Sequence, residues 1–180
     1  MKNITAILVA TAAMGLATSA YAADESAQAK SKVEYKKNGG YESTRSADHT
    51  TAGGTTHTSE SNVSVDVDSQ GRIDKEVKSE SVTDPKGLMN KKKDTSETEI
   101  EEKARGGYKQ TTTRKHTDAE GTNTTYKTVT DVDVDADGNV TSTATTEKTV
   151  DPKGLMNETT SKSKTKTVNG QVVEQTKKSK

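Results

Sequence analysis

The chain has 180 residues, with 27 basic and 27 acidic side chains and no Cys, Trp or Phe. That excludes disulfides, thiolate metal sites and thiol nucleophiles, the usual staples of a small exported domain. From residue 23 onward only 14 Val, 2 Ile, 2 Leu, 2 Met and 4 Tyr are large and apolar, about 15% of 158 residues, too few for a two-layer core.

Met1, Lys2 and Asn3 make a short basic start, Ile4 to Ala17 is an uncharged apolar run, and Ala20-Tyr21-Ala22 has the small-x-small form of a cleavage site. This pattern predicts a signal peptide over residues 1–22. The run is shorter than the ~20 residues a spanning helix needs, and Asp24 and Glu25 soon follow it. With no Cys for lipid attachment and no later apolar segment, no transmembrane segment is expected after cleavage. An outer-membrane barrel needs aromatic girdles, for which four Tyr are a poor supply. The expected location is the periplasm or the cell exterior.

Residues 23–34 read as a flexible N-terminal segment. After them comes a duplication, because Asp84-Pro85-Lys86-Gly87-Leu88-Met89-Asn90 recurs letter for letter as Asp151-Pro152-Lys153-Gly154-Leu155-Met156-Asn157, 67 residues later. The same offset aligns Gly39-Gly40-Tyr41 with Gly106-Gly107-Tyr108 and His49 with His116, and 24 of 55 positions from Lys36 to Asn90 are identical without a gap. The chain therefore divides into unit 1 (35–101), unit 2 (102–168) and a basic tail (169–180) that ends a partial third unit.

Gly-containing clusters recur every 14 to 20 residues, a spacing that suits long consecutive strands. The segments between them are rich in Thr and Val, and Val63, Val65 and Val67 alternate onto one face, with Ile73 following across a turn. Tyr126, Val132, Val134 and Val140 repeat that arrangement. β-Branched residues at period two oppose a helix. Asp-Pro-Lys-Gly fits a type I turn, and Asn169-Gly170 is the strongest short hairpin signal in the chain. The expected fold is all-β: an extended antiparallel β-meander of long polar strands, solvated on both faces, with partial disorder as the rival expectation. Counting turns alternately puts the Asp-bearing hairpins at one end of the sheet and the Leu-Met turns at the other.

Candidate chemistry is sparse. Asp133, Asp135 and Asp137 before Gly138 match the front half of a calcium loop, where alternate carboxylates converge on a hard cation. The closing Glu is missing, since position twelve is Ala144, and unit 1 has Gln70 at the third carboxylate position. A hairpin turn is the preferred reading and calcium the only cofactor suggested. His49, His57 and His116 lack ligand spacing and read as exposed polar residues. No Ser or Thr sits in a nucleophile turn, so an enzyme is not expected.

Two features point to contacts. Leu88, Met89, Leu155 and Met156 are apolar residues that their turns do not need, so they are candidate interaction residues, either for a partner or as anchors onto neighbouring strands. Lys162, Lys164, Lys166, Lys177, Lys178 and Lys180, against Glu174, could touch acidic polymers or could guard a terminal strand against aggregation. With no Trp or Phe to stack on bases, specific nucleic-acid recognition is not expected. The leading functional expectation is an exported, non-catalytic repeat protein, a structural or interaction component of the bacterial envelope or extracellular matrix, partnered by itself or by other envelope proteins. A weak calcium-responsive periplasmic binding protein and a disordered envelope spacer are the alternatives.

Overall fold

A computed structural model of the chain describes residues 26–87, 91–154 and 158–179. The expected leader with its cut after Ala22 lies outside the described residues, as do Leu88, Met89, Leu155 and Met156. The chain folds as ten antiparallel strands in one sheet, each paired with its neighbours in sequence. They are β1 (Ser26–Tyr35), β2 (Tyr41–Thr50), β3 (Thr56–Val67), β4 (Ile73–Asp84), β5 (Lys92–Glu102), β6 (Tyr108–Thr117), β7 (Asn123–Val134), β8 (Val140–Asp151), β9 (Thr159–Val168) and β10 (Gln171–Ser179). One short 3₁₀ turn, Ala104–Gly106, interrupts the β5–β6 connection.

The strand bounds repeat with the sequence period. β2, β3 and β4 begin at residues 41, 56 and 73, and β6, β7 and β8 begin 67 residues later at 108, 123 and 140. The stretch expected to be flexible, 23–34, instead supplies most of β1, which pairs with β2 from Ser26↔Thr50 to Tyr35↔Tyr41. Its polar sequence carries little periodicity, because an edge strand held by one backbone ladder needs no apolar face.

Alternation places side chains as the Val pattern implies. Val63 lies opposite Val77, Val67 opposite Ile73, and Val134 opposite Val140. Tyr41 faces Val65, and its copy Tyr108 faces Val132. These residues share the first face of the sheet, yet no second layer covers it among the described residues. Val65, at 9% exposure, is the only buried hydrophobic side chain described.

In place of a core, cross-strand polar pairs and repeated turns hold the sheet. Thr98 bonds Thr112 and Thr128 bonds Thr146, both at 3.2 Å, while Lys162 reaches Glu147 at 3.5 Å. Each such pair is worth roughly 0.2–1 kcal/mol, so stability is distributed over many.

Five connections share one hairpin. In residues 36–40, 51–55, 68–72, 118–122 and 135–139 the first N–H donates to the fifth carbonyl, and the N–H of the fourth residue, a Gly, donates to the first carbonyl. That is the pattern of a type I turn closed by a left-handed Gly, and φ at Gly39, Gly54, Gly71, Gly121 and Gly138 lies between 78° and 89°. The β9–β10 connection differs: Asn169 and Gly170, at φ 49° and 82°, make the two-residue turn their dipeptide predicts.

The Gly-Gly-Tyr repeats have a separate cause. Gly40 passes so close to β3 that a Cβ there would lie 2.1 Å from the Val65 carbonyl oxygen, and at Gly107 it would lie 2.5 Å from that of Val132. The second Gly of each pair is thus required for space, the first for its positive φ.

Candidate interaction surfaces

The alternating turns give the sheet two chemically distinct ends. Connections at 36–40, 68–72, 103–107, 135–139 and 169–170 lie at one end, and those at 51–55 and 118–122 lie at the other, where β4 ends at Asp84 and β8 at Asp151.

The three candidate calcium carboxylates sit at the first end, each engaged differently. Asp133 accepts a hydrogen bond from the Lys103 ammonium at 2.9 Å, and the same ammonium is held by Asp131. Asp135 opens a hairpin, where one carboxylate oxygen accepts the backbone N–H of Asp137 and of Asn139, both at 2.9 Å, and the other accepts the Asn139 amide. Asp137 contributes its backbone N–H to that turn. The carboxylates are not gathered around a common point, and the Asp-x-Asp-Gly spacing serves turn geometry.

The same device recurs where the calcium-like spacing is incomplete, at Asp68, or lacking, at Asp118. Asp68 accepts the N–H groups of Gln70 and Arg72 at 2.8 and 2.9 Å, and Asp118 those of Glu120 and Thr122 at 3.0 and 2.9 Å. These bonds favour the ionised form. The backbone N–H of Arg72 holds the Asp68 carboxyl below the ordinary 3.8, that of Thr122 does so for Asp118, and the Asn139 side chain leads at Asp135. Folded values below the unfolded value mean a contribution that is complete above the unfolded pKa and lost as pH falls through the folded values. The melting temperature should therefore be flat down to about pH 5 and fall below about pH 4. Replacing Asp68, Asp118 and Asp135 together by Ala should lower the neutral-pH melting temperature and flatten the acid decline, which a thermal melt followed by circular dichroism at stepped pH reads directly.

Strand register assembles one acidic group that spacing conceals. Glu76 pairs with Glu99, and Glu97 lies beside them, so that one oxygen of each lies within 4.8 Å of the others. Lys78 already answers this charge, with its ammonium 2.6 Å from Glu76 and 3.2 Å from Glu97. Only cross-strand register brings these residues together, which is why sequence spacing missed them.

The histidines are split by the strands. His49 and His57 face each other across β2 and β3 with rings stacked at 6.2 Å, and His57 Nδ1 lies 3.1 Å from Thr83 Oγ1. His116 Nδ1 lies 2.7 Å from Asp94 instead.

At the far end, Asp84, Lys91, Thr117, Asp118 and Lys153 line an open depression of about 410 Å³. The basic C-terminal residues do converge. By register Lys162, Lys164, Lys166 and Lys178 share the second face of β9 and β10, where Glu147 pairs with Lys162, and Glu174 with Lys164 at 3.0 Å.

The sheet also has two outer edges among the described residues. β1 pairs only with β2 and β10 only with β9, and both strands are exposed throughout. No protein-family model matches the chain, and no similar characterised protein or solved structure was found.

Proposed function

We propose that the chain is an exported, non-catalytic repeat protein that acts as a structural or interaction component of the bacterial envelope or extracellular matrix. The observation that carries this reading is the single-layer sheet itself. Ten consecutive hairpin-linked strands offer solvated side chains on two broad faces, a geometry suited to spacing and lateral contact. The leader-like residues 1–22 support export. The Lys162–Lys178 face supports contact with acidic polymers, because clustered ammonium groups concentrate polyanions.

The test is where the chain is found and how it begins. Fractionation of producing cells should recover it from the periplasm or the medium, with mass spectrometry placing its first residue at Ala23. Recovery from the cytoplasm with Met1 or Lys2 still attached would overturn the reading.

A further inference from the structure

Four of the seven exposed large hydrophobic side chains described, and the four most exposed, lie on the two strands that lack an outer neighbour among the described residues. Val33 and Tyr35 on β1 are 48% and 85% exposed, and Val172 and Val173 on β10 are 62% and 58% exposed. Monomeric sheets usually blunt their edges, so apolar side chains on both outermost strands need a reason. All four residues lie at the same end of the sheet, since β1 finishes there and β10 starts there.

We propose that the outer edge of β10 pairs antiparallel with the outer edge of β1 in a second copy of this chain, extending the meander head to tail. The strand count permits this, because in a ten-strand meander β1 and β10 run in opposite directions, so β1 of the next copy lies antiparallel to β10. Sequence then chooses the register. With Glu174 opposite Lys32, Thr176 meets Lys30, Lys177 meets Ala29 and Lys178 meets Gln28, so no like charges face each other. The irregularity between Val172 and Glu174 sets both valines against Val33, with Tyr35 beyond them at the hairpin end.

Neighbouring registers do worse. A shift of two residues one way puts Glu34 against Glu174 and Lys30 against Lys178, and a shift the other way sets both valines on Ser31 and leaves Val33 without an apolar partner. Symmetric pairings waste the apolar residues as well. Two β10 edges set Val172 and Val173 against the Lys177-Lys178 pair, and two β1 edges that match Lys30 with Glu34 place Lys32 on Lys32. The β1–β1 pairing centred on Val33 matches Lys32 with Glu34 but spans only five residues of each strand; among pairings that use most of both strands, the head-to-tail contact alone joins apolar to apolar and acid to base.

Lys32 now pairs with Glu34 at 2.6 Å and Glu174 with Lys164 at 3.0 Å, so the junction would extend these pairs into one charge row on the second face. A heterologous contact of this kind does not close, and the product is an open series. One added strand makes a small interface, so association should be weak and dependent on concentration.

This proposal rests on the structural reading above and names its partner. The experiment is sedimentation velocity of the purified chain, its N terminus fixed by mass spectrometry, over a concentration series. Wild type should grow beyond a dimer as concentration rises. Glu174→Lys, and separately Lys32→Glu, should weaken association about tenfold by placing like charges opposite each other. The double variant Lys32→Glu with Glu174→Lys should recover most of it, and circular dichroism should be unchanged in all three because both side chains are exposed. A wild type that stays monomeric to its solubility limit, an assembly that stops at two, or a double variant that fails to recover association would each overturn the proposal. A chain that is monomeric yet exported leaves the envelope reading standing, whereas one that assembles in solution but is never exported removes that reading and keeps the edge contact.

Discussion

Gly40→Ala should destabilise the sheet by about 3 kcal/mol, and Gly107→Ala by nearly as much, because neither added methyl has room. At Gly40 the new Cβ would sit 2.1 Å from the Val65 carbonyl oxygen, and at Gly107 2.5 Å from that of Val132. The obstacle in each case is main chain in a hydrogen-bonded strand, which a rotamer change cannot relieve. Gly39→Ala is the control. It meets nothing within 4 Å but has φ of 89°, so its penalty is the backbone cost of roughly 1–2 kcal/mol for an L-residue in that region. Urea unfolding of the three variants checks the order. Equal losses at positions 39 and 40 would mean that the loop does not approach β3 as described.

Calorimetry should return a heat-capacity change of unfolding at most about half of the 12–15 cal/mol/K per residue of ordinary globular domains. That quantity follows the apolar surface hidden by folding, and here Val65 alone among the described hydrophobic residues is buried. The half-buried Val, Thr and Lys stems of the inner strands contribute something, while β1 and β10 contribute almost nothing. A value in the ordinary range would require a covered apolar face, by a second layer or a second molecule. The stability curve should be correspondingly flat with temperature, with cold unfolding far from reach.

The fold was legible because two local signals agreed. Alternating Val63, Val65 and Val67 set the face, and regularly spaced Gly set the strand lengths and the two turn ends. Asn169-Gly170 announced its turn outright, since both residues tolerate positive φ. β1 was missed because Ser26 to Lys32 are small or polar and show no alternation, leaving Val33 and Tyr35 as its only alternating apolar pair; its order comes from β2. The role of Gly40 was hidden for a related reason, as its constraint lies in a carbonyl 25 residues away that only register locates.

The candidate site was less legible. An Asp-x-Asp-x-Asp-Gly string looks the same whether its oxygens meet a cation or meet N–H groups, and the choice depends on donors at Asn139 and Lys103. The acidic trio at Glu76, Glu97 and Glu99 draws on two strands and has no linear signature. The Leu-Met turns remain readable only as sequence.

The order in which the strands are laid down also sets how the protein bears load. Ser26 and Ser179 lie in the two outermost strands, and every ladder in between joins sequence neighbours. A pull between them therefore runs across the strands, along the direction of the backbone hydrogen bonds, and opens the ladders one hairpin at a time. Such a sheet yields at low force and pays out in steps of ten to twelve residues per strand, as the inner strand lengths dictate. Attached by its two edges, this chain would serve as an extensible tether that lengthens progressively and closes again hairpin by hairpin when tension falls.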